Sequence, residues 1–317
     1  MRAHVDSGRV PFASLAGNAP FFLVHGGAGP ADPKGERAVR AREAVVGIAR
    51  TVASEGRTAA LHTAEQLALF AAGALEEEPL FNAGLGAALQ GDGVARVSAA
   101  FMESTRQKMS AVMNVQGVVR PSFLAHHLQS ERFSCLDALG GQALAARLGV
   151  PFADLVTPFR FDSWAAQRRE TLNAPDSSVT GGKGTIGCVT LDTTGVLAAV
   201  TSTGGVGNET PGRVGDTPTV AGNYCTSRVA VSCTGYGEQI LACAFAARLA
   251  TRVDDGLSLE AAMRKGIDEA FAKGYGLAAI AVAREGDDAV WAAGTTEGYF
   301  IWAGCNSKEP LAFSPLF

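Results

Sequence analysis

Three threonines stand beside glycine where apolar runs begin or end: Thr185 between Gly184 and Ile186-Gly187, Thr203 before Gly204, and Thr234 before Gly235. Threonine next to glycine offers a hydroxyl beside backbone N–H groups that no side chain shields. Those are the parts of a nucleophile, its hydrogen-bond support and an oxyanion hole. At Thr185 a polar segment, residues 173–183, ends in Gly181-Gly182-Lys183-Gly184 and feeds straight into residues 186–191, an apolar run that reads as a buried strand. One reading is a loop entering a strand, with Thr185 an ordinary β-favouring residue. The other is that the Gly184–Thr185 bond is cut, leaving a threonine whose free α-amine is its own base.

A second group is Arg213 with Asp216, in the Gly- and Pro-ordered loop Pro211-Gly212-Arg213-Val214-Gly215-Asp216-Thr217-Pro218. An arginine fork suits a carboxylate and a nearby aspartate suits an ammonium, so the pair reads as a clamp for an α-amino acid. A salt bridge ordering the loop is the equal alternative. Other chemistries are disfavoured. Gly181-Gly182-Lys183-Gly184-Thr185 has a glycine between Lys and Thr, which breaks the phosphate-loop pattern. There is no G-x-S-x-G. The cysteines (135, 188, 225, 233, 243, 305) form no C-x-x-C and read as buried free thiols in a reducing compartment. His4, His25, His62, His126 and His127 lack zinc-ligand spacing.

The elements that position these groups follow from pattern. Phe21-Phe22-Leu23-Val24 is a strand running into a glycine turn, His25-Gly26-Gly27-Ala28-Gly29-Pro30. Residues 34–54 read as a helix closed by Gly56, with Val39, Val45, Ile48, Ala49 and Val52 on one face. Thr63 to Gln66 is a capping box opening a second helix that ends at Glu76-Glu77-Glu78-Pro79. The turn Leu80-Phe81-Asn82-Ala83-Gly84-Leu85-Gly86 carries a single amide. Strands are expected at 94–102 and 109–119, and helices at 121–127 and 137–148. Residues 151–184 read as a linker, with 162–170 one exposed helix. A hairpin follows at 186–191 and 196–201. Then come a strand at 229–233, helices at 239–253 and 258–272, and strands at 277–282, 289–293 and 299–302. Grouped strands and grouped helices mean an α+β layered fold and not a βαβ sheet.

Composition sets the bounds. The 317 residues are 47% hydrophobic and 18% charged, enough for a sizeable core. A net charge of −4 without a basic run makes nucleic acid a poor partner. No apolar run reaches the length of about 18 residues that suggests a membrane span. Residues 1–19 have no apolar signal core and read as a short polar arm, which favours the cytoplasm.

Six pieces in order resemble the plant-type asparaginase/isoaspartyl peptidase family of N-terminal nucleophile hydrolases. They are Val24 with the His25 to Gly29 turn, Leu80-Phe81-Asn82-Ala83-Gly84, Gly184-Thr185-Ile186-Gly187, residues 199–205, residues 211–218, and Ser232-Cys233-Thr234-Gly235-Tyr236-Gly237-Glu238. The resemblance spans nearly everything after residue 20. It implies a four-layer αββα sandwich, one domain made as a precursor that cuts itself into residues 1–184 and 185–317. It implies that Thr185 Oγ attacks a side-chain amide or β-aspartyl carbonyl, with the Thr185 α-amine (ordinary pKa ~7.7–8.0) as base. Thr203 then supports the nucleophile, Thr234 and Gly235 form the oxyanion hole, and Asn82 supports the Thr185 amine or the site wall. By the same resemblance, Arg213, Asp216 and Gly237 are expected to bind substrate. The resemblance further implies a structural sodium ion on main-chain oxygens of Leu75, Glu76, Glu78, Phe81, Ala83 and Leu85, and no catalytic cofactor. It implies a homodimer of processed units as the active form.

Departures from the family pattern are Ser98 where an aspartate usually stands, Met102-Glu103-Ser104 for Met-Asp-Gly, the glycine-rich residues 181–184, and residues 206–210. Two other readings compete: a relative acting on another aspartyl amide such as glycosylasparagine, and an uncleaved, inactive scaffold. Loss of Thr185, Thr203, Arg213 or Asp216 would mark the scaffold; all four are present.

Overall fold

The central hairpin sets the architecture. Strands β6 (Ile186–Leu191) and β7 (Leu197–Thr203) are buried at every position, so both faces of their sheet must be covered. A computed structural model describes residues 3–14, 20–29, 35–56, 61–173, 184–305 and 310–313. Before the hairpin come β1 (His4–Pro11), β2 (Phe21–Gly29), α1 (Glu36–Glu55), α2 (Ala64–Glu76), β3 (Val97–Glu103) and β4 (Ser110–Val115). Next are α3 (Pro121–His127), β5 (Cys135–Leu136), α4 (Ala138–Arg147) and α5 (Pro158–Asn173). After the hairpin come β8 (Asn223–Cys225), β9 (Val229–Gly235), α6 (Gly237–Cys243), α7 (Phe245–Asp254) and α8 (Leu259–Ala272). The last strands are β10 (Leu277–Glu285), β11 (Asp288–Thr295), β12 (Tyr299–Cys305) and β13 (Pro310–Phe313).

The strands form two sheets. One is eight-stranded, β13-β12-β2-β6-β7-β3-β4-β5; the other is five-stranded, β1-β11-β10-β9-β8. Pairing is antiparallel except between β4 and β5. Alternation along β2 shows how the sheets stack. Phe22 and Val24 join a core with Val45, Leu67 and Leu75 of α1 and α2, while Phe21 and Leu23 join a core with Val189, Ile280 and Trp302 between the sheets. Each such side chain contributes about 1.5–3 kcal/mol on burial. Outside the five-stranded sheet, Val231 and Ala279 pack on Leu249, Met263 and Ile267 of α7 and α8. The result is a mixed α/β fold of two sheets with flanking helices.

Local signals account for many boundaries. The Thr63 capping box forms, with Thr63 and Gln66 each bonding the other's backbone N–H. Asp137 and Ser258 cap α4 and α8. Four features differ from the sequence reading. The N-terminal arm contains an edge strand: β1 pairs with β11 from His4↔Thr295 to Pro11↔Asp288. Its polar composition hides a strand held by backbone pairing, and Gly8 is needed because a Cβ there would stand 2.8 Å from the Trp291 ring. The segment His25 to Gly29 is no turn. It continues β2, with Gly27 at φ 113° beside a register shift at Ile301/Trp302, a bulge that keeps it in the sheet. The single helix expected at 239–253 is two, broken at Ala244 in the left-handed region (φ 47°). Ala246 and Ala247 donate to the Ala221 and Val220 carbonyls, so a tertiary cap starts a new helix there. Finally, Val39 points outward, and Ala38 and Ala41 take the buried face of α1.

Cys188, Cys225, Cys233 and Cys243 are buried free thiols, and Cys135 is exposed. No helix among the described residues is long and apolar enough to cross a membrane.

Candidate active site

The β6–β7 pairing puts Ile186 opposite Ser202, and so brings Thr185 to Thr203 at the end of the ladder. The Thr185 hydroxyl donates to Thr203 Oγ1 at 3.0 Å, and Thr203 Oγ1 accepts the Gly205 N–H at 3.2 Å. Asn82, fully buried, laces the two strand ends together. Its N–H donates to the Gly184 carbonyl (3.1 Å), its carbonyl accepts from Gly204 N–H (2.8 Å), and its Nδ2 donates to the Gly205 carbonyl (2.6 Å). Both glycines are required by this approach. A Cβ on Gly184 would lie 2.9 Å from Asn82 Cβ, and one on Gly204 2.6 Å from Asn82 Oδ1.

The third threonine belongs to the other sheet. A Cβ on Gly187 would lie 2.0 Å from Ser232 Oγ and 2.5 Å from His25 Nε2, so β6 and β9 meet there across the sheet interface. Two-residue alternation then puts Thr185 and Thr234 on the facing sides of the two sheets. Thr234 is fully buried and its hydroxyl has no partner among the described residues. Gly235 (φ 136°) approaches Gly276 so closely that a Cβ would stand 2.5 Å from its carbonyl. Beneath runs a buried chain: His25 Nε2 to Ser232 Oγ (2.9 Å), Ser232 Oγ to Thr201 Oγ1 (2.7 Å), and Thr201 Oγ1 to Asn223 Oδ1 (2.9 Å). Burial pushes the His25 pKa down to about 3, so the ring is neutral.

Arg213 and Asp216 converge on Gly237. A Cβ at 237 would lie 2.6 Å from Arg213 Nη2 and 2.9 Å from Asp216 Oδ1. The ion pair Arg213 makes is with Glu238, through Nε (2.8 Å) and Nη2 (2.9 Å), in the bidentate geometry a substrate carboxylate would use. Sequence reasoning gave Glu238 no role, although its place directly after Gly237 was the signal. Asp216 is buried. Desolvation pushes its pKa up to about 7, opposed by the Arg213 charge, and its Oδ2 has no partner among the described residues.

Two further residues missed in the sequence hold this loop. Asn114, at φ 57° in a bulge of β4, donates from Nδ2 to the Gly212 (3.1 Å) and Arg213 (3.2 Å) carbonyls. Gln90 Oε1 accepts the Gly212 N–H (3.0 Å), and Gln90 Nε2 donates to Asn114 Oδ1 (3.1 Å). Ser98, the unusual residue, accepts the Asn114 N–H at 3.0 Å and so anchors the bulge.

Among the described residues, no cluster of three or more His, Cys, Asp or Glu would hold a metal ion. The loop after α2 does gather main-chain oxygens. Glu76 O accepts Leu85 N–H (2.8 Å), Leu75 O accepts Glu78 N–H (3.4 Å) and Glu78 O accepts Phe81 N–H (3.1 Å). Gly84 (φ 49°) and Gly86 (φ 94°) let the Glu76 and Phe81 oxygens approach to 2.3 and 2.8 Å of where a Cβ would be. Ala83 lies in the same turn and is buried.

Hydroxyls at paired strand ends, a laced glycine carbonyl and an arginine fork beside a buried aspartate are groups that suit hydrolytic chemistry. A family model described as asparaginase matches residues 18–310, and the chain belongs to that family. It is similar to the isoaspartyl peptidase/L-asparaginase of Synechocystis sp., 38% identical over 278 residues covering 84% of this chain and 83% of that protein. A Nostoc sp. protein of the same name is 38% identical over 280 residues, covering 84% and 86%. The Homo sapiens one is 33% identical over 302 residues, covering 92% and 94%.

Proposed function

We propose that this protein is a self-cleaving amidohydrolase of L-asparagine and β-aspartyl peptides, with Thr185 as nucleophile. The observation carrying this reading is the 3.0 Å Thr185–Thr203 hydroxyl pair beside a Gly184 carbonyl that Asn82 N–H polarises. In the precursor, Thr185 Oγ attacks the Gly184 carbonyl carbon. The C–N bond breaks, the Thr185 nitrogen takes the hydroxyl proton, and an ester forms. Water hydrolyses that ester, giving residues 1–184 and 185–317. Gly184 tolerates the backbone strain this requires.

In turnover, the freed α-amine takes the Thr185 hydroxyl proton, and Oγ attacks the side-chain amide carbonyl. The Thr234 hydroxyl and Gly235 N–H receive the oxyanion, and the leaving amine departs with the proton. Water then releases aspartate from the β-aspartyl ester. Arg213 holds the α-carboxylate after Glu238 swings away, Asp216 holds the α-ammonium, and Gly237 leaves room for both. The names of the relatives, isoaspartyl peptidase/L-asparaginase, support the substrate class.

The same reading takes the fold as a four-layer αββα sandwich of the N-terminal nucleophile type and the active form as a cytoplasmic homodimer of processed units. A sodium ion on the main-chain oxygens of Leu75, Glu76, Glu78, Phe81, Ala83 and Leu85 would brace the loop carrying Asn82. The test is mass spectrometry for two fragments divided at 184/185, combined with aspartate release from asparagine and a panel of β-aspartyl dipeptides. One uncut chain without turnover would replace this reading with the scaffold.

A further inference from the structure

Arg160 lies in the first turn of α5 and is only 9% exposed. Its Nε donates to the Gly86 carbonyl. Arg37 stands beside it, donating to the Leu80 carbonyl at 2.7 Å. Phe159 lies between them, its ring centre 3.7 Å from the Arg37 guanidinium carbon and 5.7 Å from that of Arg160. Among the described residues, no carboxylate acts on the Arg160 guanidinium, and Arg37 feels that of Glu78 without an ion pair. A buried cation beside a second cation, with no ion-pair partner of its own, is unfavourable. Burial and the Arg37 charge accordingly push the Arg160 pKa down to about 9.

A cavity of about 220 Å³ opens where Arg160 lies, walled by Ala88, Leu89, Phe159, Trp164 and Gly207. The Trp164 Nε1–H is buried and has no partner among the described residues. The walls are tied to one another, because Asn208 Nδ2 donates to Gln167 Oε1 (2.9 Å) and to the Trp164 carbonyl (3.4 Å) of α5. None of the Thr185, Thr203, Arg213 or Asp216 side chains lines this cavity.

We infer that the cavity is a binding site for a small carboxylate, held between the Arg160 guanidinium and the Trp164 indole N–H and distinct from the Arg213 clamp. The planar fork matches a carboxylate, and the part of the wall formed by Ala88, Leu89, Phe159 and Val206 accepts a short methylene chain.

Calorimetric titration with malonate, at constant ionic strength, tests this on the wild-type protein and three variants. A saturable response is expected that persists in Arg213→Ala and weakens about tenfold or more in Arg160→Gln. Trp164→Phe keeps the ring packing and removes only the N–H; its affinity should fall several-fold, which keeps the test open if Arg160→Gln does not fold. The inference is overturned by no saturable response, by its loss in Arg213→Ala, by unchanged affinity in Arg160→Gln or Trp164→Phe, or by sulfate binding as well as malonate.

Discussion

The two ends of the candidate site are finished differently. Around Thr185 the polar groups are engaged at rest: hydroxyl to hydroxyl, Gly184 carbonyl to Asn82, Gly205 carbonyl to the Asn82 amide. Around Asp216, and at Thr234 on the sheet facing Thr185, they are left over. Asp216 Oδ2, Thr217 Oγ1 and Thr234 Oγ1 are buried without partners among the described residues. The Arg213 fork is filled by Glu238, whose side chain is 65% exposed. An unmet buried polar group costs about 1–3 kcal/mol. Folding completes the first end; on the proposed reading, a ligand bringing an ammonium, a carboxylate and a carbonyl oxygen would complete the second.

That contrast can be broken most sharply at Thr185. Thr185→Ala should leave one uncut chain and remove turnover by about 10⁴-fold or more, read by denaturing gel and aspartate release. Residual asparaginase activity near wild type would sink the nucleophile assignment. Arg213→Ala should leave processing intact and raise KM by about 10- to 100-fold for amino-acid substrates, because a charge-assisted fork is lost. A KM that does not move would make Arg213 a strut paired to Glu238. Glu238→Gln should act in the opposite direction, lowering KM a few-fold as the competitor for the fork loses its charge. A higher KM would mean that Glu238 positions the fork and does not occupy it.

The smallest effect is a pH slope. Burial raises Asp216 from 3.8 and Glu76 from 4.5, each to about 7. A carboxylate raised in the folded state contributes stability that is complete below its ordinary value and is lost as pH rises through the folded one. Ligand-free protein should therefore melt at lower temperature at pH 8 than at pH 5, with a shallower slope in Asp216→Asn. Equal Tm values at both pH in the wild-type protein would contradict this.

Much of the Thr185 end was legible in sequence because glycine, threonine and strand apolarity are all local signals. Gly184-Thr185 before residues 186–191 and Thr203-Gly204 at the end of β7 needed no knowledge of the second sheet. The Arg213 end was less so. Glu238 and Asn114 act through pairings across 25 and 99 residues, and only folding reveals which group fills the fork or grips the loop. The same holds for the fold: the capped helices were readable, whereas β1 exists only because β11 offers an edge. The break at Ala244 exists only because Ala221 and Val220 supply acceptors.

The sheet order carries one more consequence. Strand β2 is clasped between β12 and β6, β3 lies against β7, and β1 borders β11. Each of these pairs joins a partner before residue 184 to one after it, so neither would-be fragment owns a complete sheet. Cutting at Gly184 would make two polypeptides without making two bodies. It would also give the protein a history: the uncut chain folds as one molecule searching its own conformations, whereas the cut one, once unravelled, must find its other half at whatever dilution it has reached.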